Sequence, residues 1–123
     1  MTDLDVTTAV AHFDAEQLRT LRGLRGGTLL PRLLALYREQ AGLQLDRLQA
    51  AALGGDLVAV VAVSHAFKSS SRSVGAKKIG DLCEKLETAA RSGMLTDGGT
   101  DLSEQIRAAY EALVPELEGM LAL

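Results

Sequence analysis

The sequence contains no tryptophan, and aromatic residues of every kind make up only 3% of it. Its core must be filled by Leu, Val, Ala and Ile, and a Leu- and Ala-rich chain with so few rings favours helix over sheet. Cys83 is the one cysteine, so no internal disulfide can form, in keeping with a reducing compartment. No uninterrupted apolar run approaches the ~18 residues needed to cross a bilayer. The opening MTDLDVTTAV carries two acids and no basic stretch, unlike a secretory signal. The expected compartment is the cytoplasm, with no membrane partner. A positive excess is also missing: the formal net charge is −3, which does not suit nucleic acid. No His/Cys/Asp cluster has zinc spacing, so no metal site is expected. The pairs Gly26-Gly27, Gly54-Gly55 and Gly98-Gly99 lack the Lys-Ser/Thr of an ATP-binding loop and read as turns.

What is present is a globular mix, 47% hydrophobic and 24% charged over 123 residues, enough for one domain. Residues 1–13 show no period and read as a loose arm. Asp14, with Gln17 three residues on, caps a short helix from about Ala15 to Gly23. Thr28 is a second cap candidate, with Pro31 in the first turn of a long helix that reaches about Leu53. Its stripe is Leu30, Leu33, Leu34, Tyr37, Ala41, Leu45, Leu48 and Ala52. Asp56 caps a third helix that runs through His65 to about Ser73. A fourth spans about Ala76 to Ser92, with Ile79, Leu82, Cys83 and Leu86 on one side and Gly93 closing it. A last helix starts near Asp101, and Pro115 inside its stripe is expected to kink or split it. Long helices joined by short glycine turns predict an all-α fold, an antiparallel up-down-up-down four-helix bundle with a short extra N-terminal helix.

The chemistry lies in Ser64-His65-Ala66-Phe67-Lys68-Ser69-Ser70-Ser71-Arg72-Ser73-Val74-Gly75. With Phe67 at the centre of the buried face, Val60, Val63, Ser71 and Val74 fall within about 40° of it and His65 about 160° away. His65 therefore points to water. Lys68 and Ser69, at i+3 and i+4, share its face, as does Arg72. An exposed imidazole is largely neutral near pH 7 and is then a competent nucleophile. A phosphoryl group placed on it adds about two negative charges, which Lys68 is positioned to offset, with Ser69 able to donate a hydrogen bond. Val58, Val61 and Ala62 lie on the same outward face, as expected of a docking surface that also takes in Arg72. From Lys68 to Arg91 six basic residues stand against three acidic ones, which suits an acidic partner.

The stretch HAFKSSSRSVGAKKIGDLCEKLETAAR, from His65 to Arg91, resembles the signature of histidine phosphotransfer (HPt) domains: His, two residues, Lys, a small residue, Ser, then Gly ten residues after the His. The resemblance extends over most of the chain. It implies phosphorylation of His65 at Nε2, with Lys68 steadying the phosphoryl group and Gly75 allowing close packing between helices. It also implies exchange with aspartates of response-regulator receiver domains fed by a hybrid sensor histidine kinase. The receiver supplies magnesium and the acidic pocket; this chain binds no cofactor. Glu87 occupies a position where some members place a polar residue that hydrogen-bonds the imidazole. Ser69 departs from the Gly that many members carry after the Lys.

The expectation is therefore a monomeric phosphocarrier without small-molecule turnover. The alternative is an interaction bundle in which His65 is only a contact residue. Val58 and Val61 have a competing reading as side chains packed under the N-terminal arm. Arg72 and Lys77 have one as solvated charges, Cys83 as a buried structural thiol, and His12 as part of the arm or its edge.

Overall fold

The computed structural model describes residues 11–122, whose regular elements are all helices, with no strand among them. The elements are α1 (Ala15–Arg22), a 3-10 turn (Leu24–Gly27), α2 (Leu29–Leu53), α3 (Leu57–Ser73), α4 (Lys77–Arg91) and α5 (Thr100–Leu121). Two of the expected caps form. Asp14 Oδ1 accepts from the amides of Glu16 and Gln17 at 3.0 and 3.3 Å, and Asp56 Oδ1 accepts from that of Ala59 at 3.1 Å. The start of α5 is held by Asp97, whose carboxylate accepts from the amides of Gly99 and Asp101 at 2.8 and 2.9 Å.

Thr28 does not cap α2. The 3-10 turn passes through Arg25 at φ 52 and Gly26 at φ 63 and delivers Thr28 already in a helical conformation. Its hydroxyl therefore donates backwards, to the Arg25 carbonyl at 2.8 Å. Nor does Pro115 split the last helix, which continues as one element through Leu121. The ring sits on the exposed side, and the acceptor it leaves unpaired, the Glu111 carbonyl, is also on an exposed residue. Burial of Leu113 and Leu117 on the other side outweighs the lost bond.

The sides of the helices that meet are those the apolar stripes define. α2 packs against α3 and α5, and α4 against the same two, so each of these four helices has two neighbours; α1 rests on α2. Phe67 is at the centre. Its ring stacks on Tyr37, with centroids 5.8 Å apart, and Tyr37 meets Tyr110 edge-on at 6.0 Å. The Tyr37 hydroxyl and Ser71 Oγ, both buried, hydrogen-bond at 2.8 Å. Burial raises the Tyr37 phenol well above its ordinary range, so it stays a neutral partner. Cys83 lies in the same core, and burial pushes its thiol up to about 12.

The expected loose arm is fastened at its inner end. The amides of Ala11 and His12 donate to Glu116 Oε1 at 2.9 and 3.0 Å, the His12 ring pairs with Glu116 Oε2, and Phe13 is buried. A carboxylate on α5 that accepts three N–H groups gives these residues the anchor that sequence periodicity does not register. Residues 1–10 of that arm lie outside the described residues.

Candidate functional site

The site forms where α3 crosses α4, the most extensive helix pairing in the fold. Small side chains bring the helices together. Ser64 and Ser71 are buried on α3, and Gly80 on α4 is so close that an added Cβ would stand 2.7 Å from Arg72 Cγ. Ser64 turns its hydroxyl back onto the Val60 carbonyl at 2.6 Å and needs no partner across the interface.

His65 stands outward, its side chain 57% exposed, while Phe67 two residues on is buried. Across the interface α4 presents Glu87, whose side chain is only 7% exposed. His65 Nδ1 lies 3.0 Å from Glu87 Oε2. Lys68 Nζ lies 2.8 Å from Glu87 Oε1; this is an ion pair, and no donor is aligned on that oxygen for a hydrogen bond. Arg91, one turn along α4, donates to Oε2 through Nε at 3.1 Å and Nη2 at 2.8 Å.

Lys68 holds the Glu87 carboxyl well below the usual carboxylate range, down to about 2; Arg91 and His65 add to this, and burial opposes it. An ionised carboxylate only accepts hydrogen bonds, so the His65 nitrogen facing it carries the proton. Nε2, on the other side of the ring, takes no part in these contacts, and in the neutral imidazole it is the nitrogen left with the lone pair. The arrangement is a half-exposed nucleophilic nitrogen beside a buried anion and two cations.

A family model of the Hpt domain matches residues 32–119, well over half of the chain. The chain belongs to the Hpt domain family. It is a histidine phosphotransfer protein, and Hpt proteins act as phosphocarriers in phosphorelays, not as classical enzymes. Among solved structures, the crystal structure of histidine-containing phosphotransfer protein B from Pseudomonas aeruginosa PAO1 is similar. The TM-score is 0.83 at 26% sequence identity, covering 92% of this chain and 96% of that one. A comparison with curated proteins found no match.

The other residues that the sequence singles out divide in this Hpt domain. Ser69 is exposed on the turn after His65. Val58 is 82% exposed and Ala62 is exposed, so none of the described residues of the arm covers them. Val61 is half-buried and packs against the core, which takes part of its surface out of the outward face. Lys68 is not the free outward cation expected at i+3. Its side chain is 18% exposed and folds back onto Glu87.

Arg72 is also committed, donating to Glu84 at 3.3 Å and Asp81 at 3.2 Å. Its stem lies over Gly80, while its carbonyl accepts from Gln17 Nε2 of α1 at 2.7 Å. Gly75 lies in the turn between α3 and α4. At φ +83 it ends α3, with its amide and that of Ala76 returning to the Arg72 and Ser71 carbonyls. Its own carbonyl accepts from the Asp14 amide at 2.8 Å, and a Cβ there would come into ordinary contact with Asp14, 3.4 Å from its backbone nitrogen. Gly75 thus lies against the start of α1, and Gly80 admits the close approach between α3 and α4.

Arg91 belongs to the site without having been expected there. The spacing Glu87-x-x-x-Arg91 on one helix is its signal in the sequence, because residues four apart face each other. Among the described residues no group of three His, Cys, Asp or Glu side chains gathers as a metal site. Likewise, no helix there is long and apolar enough to cross a membrane.

Proposed function

We propose that His65 is the phosphorylated residue, taking a phosphoryl group at Nε2 from a receiver-domain aspartate and passing it to a second receiver. One observation carries this reading. His65 Nδ1 is 3.0 Å from a buried, ionised Glu87, on a side chain 57% exposed, which leaves the other ring nitrogen clear of the contact and available to a partner. In the forward step Nε2 forms the N–P bond as the P–O bond to the receiver aspartate breaks, and that electron pair leaves on the aspartate. The Nδ1 proton stays on the ring, which becomes cationic, and Glu87 offsets the charge as it develops. Lys68 supplies positive charge to the phosphoryl oxygens, and the Ser69 hydroxyl is close enough in sequence to donate to one of them.

Val58, Ala62 and the open part of Val61 form the surface a receiver covers. Arg72, held by Asp81 and Glu84, shapes its edge and carries little free charge. Magnesium belongs to the receiver, as does the acidic pocket. The helices fit an antiparallel up-down-up-down four-helix bundle in a single domain, working as a cytoplasmic monomer with receivers and a hybrid sensor histidine kinase as partners.

The test is transfer from a receiver carrying radiolabelled aspartyl phosphate. Label moves to the wild-type chain and not to His65→Gln, and the product is acid-labile and base-stable. Lys68→Ala, which leaves the bundle folded, slows transfer or shortens the life of the labelled form. Label kept by every receiver tested means that the bundle binds without transfer.

A further inference from the structure

The two cations on Glu87 are not equivalent. We propose that Lys68 is the mobile counterion, which leaves for the phosphoryl group, and that Arg91 is the fixed one, which holds Glu87 on the imidazole when Lys68 departs. The proposal rests on His65 being the phosphorylated residue. Lys68 reaches Oε1 from α3, on the same helix as His65 and one turn along it, through a single contact of 2.8 Å. Arg91 reaches Oε2 from α4, Glu87's own helix, through two N–H groups at 3.1 and 2.8 Å. Oε2 is also the oxygen that faces His65 Nδ1. The guanidinium and the imidazole therefore share one carboxylate oxygen, and the ammonium has the other to itself.

The chemistry requires this division. A phosphoryl group on Nε2 brings about two negative charges. Arg72, the next cation along α3, is already paired with Asp81 and Glu84, so Lys68 is the side chain that can respond. If Lys68 were the sole counterion of Glu87, its departure would strand a carboxylate that is 7% exposed, and buried ions without partners are strongly disfavoured. Lys68 would then stay where it is.

Arg91 removes that obstacle. Its side chain is 60% exposed, so its own desolvation is slight, yet its planar head aims two donors at the buried oxygen. Glu87 stays ionised and in register with Nδ1 throughout the transfer. Arg91 touches neither phosphorus nor the ring, so it is a positioning residue. Charge on the reacting nitrogen is controlled through it at one remove.

The full chain is tested as Arg91→Gln and Arg91→Lys. Two readings are taken: the nitrogen NMR signals of the His65 ring, which report which nitrogen holds the proton, and the rate of label acceptance from a phosphorylated receiver. In the wild type the proton sits on Nδ1. In Arg91→Gln Lys68 still pairs with Glu87 before transfer, so the proton stays on Nδ1, but Lys68 can no longer leave and acceptance slows roughly tenfold, about 1.4 kcal/mol of barrier. Arg91→Lys keeps a charge one turn from Glu87 and recovers most of the rate. A wild-type rate in Arg91→Gln overturns the proposal. So does a slower rate with the two tautomers already mixed before transfer, which makes Arg91 the resting counterion, or one that Arg91→Lys fails to recover. A wild-type chain that never accepts label fails at the earlier step, on His65 itself, and is recognised by matching His65→Gln.

Discussion

Phe67→Ala probes the geometry on which the site depends, because Phe67 and His65 lie on opposite sides of α3. The ring is fully buried and stacked on Tyr37 at 5.8 Å. Replacing it with a methyl group removes the transfer energy of the ring and leaves a cavity beside Tyr37 in the core; such changes cost about 3–5 kcal/mol. Loss of the Tyr37 stack places the cost toward the upper end, since aromatic pairs contribute ~0.5–1.5 kcal/mol beyond burial. Unfolding entropy is ~2.1 cal/mol/K per residue, so for 123 residues each kcal/mol moves the melting temperature by about 4 °C. The expected shift is therefore a fall of roughly 12–20 °C, read from the helical circular dichroism signal. Val58→Ala on the same helix is the control. Its side chain is 82% exposed, and the change should stay within about 2 °C. A Phe67→Ala melt within about 4 °C of wild type refutes the phase of α3, and with it the outward ring of His65.

The remaining predictions concern the turn after the site and its response to acid. Gly75→Ala forces a Cβ into the left-handed region at φ +83, with Asp14 no nearer than ordinary contact. It should cost about 1–2 kcal/mol or more, a fall of at least about 4 °C. Gly55→Ala, at φ +67 with open space around it, should lose a similar amount, and a much larger loss at Gly75 refutes backbone strain as the cause there. Glu87 titrates below its ordinary 4.5 in the folded protein, so the stability it contributes is fully present above about pH 4.5 and disappears as the pH falls toward about 2. Denaturant melts through that window should fall more steeply for wild type than for Glu87→Gln. Parallel curves mean that the carboxylate is not paired as described.

The large-scale order of this fold is legible because it rests on local rules. Asp14 and Asp56 form the caps their side chains suit, and the stripe from Leu30 to Ala52 is buried as its period requires, with Leu33 half-buried at the margin. Glycines 55, 75 and 93 close helices with positive φ. What escapes a reading of the sequence involves contacts between elements. Periodicity fixes which side of a helix is wet but says nothing of what crosses from the next one. Lys68 and Arg72 look like free cations along α3 because their acids, Glu87 on one side and Asp81 with Glu84 on the other, lie on α4. The anchor for Ala11 and His12 lies more than a hundred positions away, on Glu116. Thr28 fails as a cap through the unusual backbone of Arg25, which no residue preference predicts.

The same distinction explains why a surface histidine and its lysine are a weak signal alone. Their spacing on α3 is compatible with two ordinary solvated side chains, and exposure alone does not make an imidazole choose one tautomer. The choice comes from α4, where a carboxylate is buried only because three positively polarised partners converge on it. Without Lys68 and Arg91, burial would raise that acid and let it protonate; a neutral acid can donate to the imidazole as well as accept from it, and the ring loses its preference. The reactivity of His65 is thus set less by its exposure than by the cations that keep Glu87 charged. Of the two, the arginine is the one we propose stays in place when a phosphoryl group arrives.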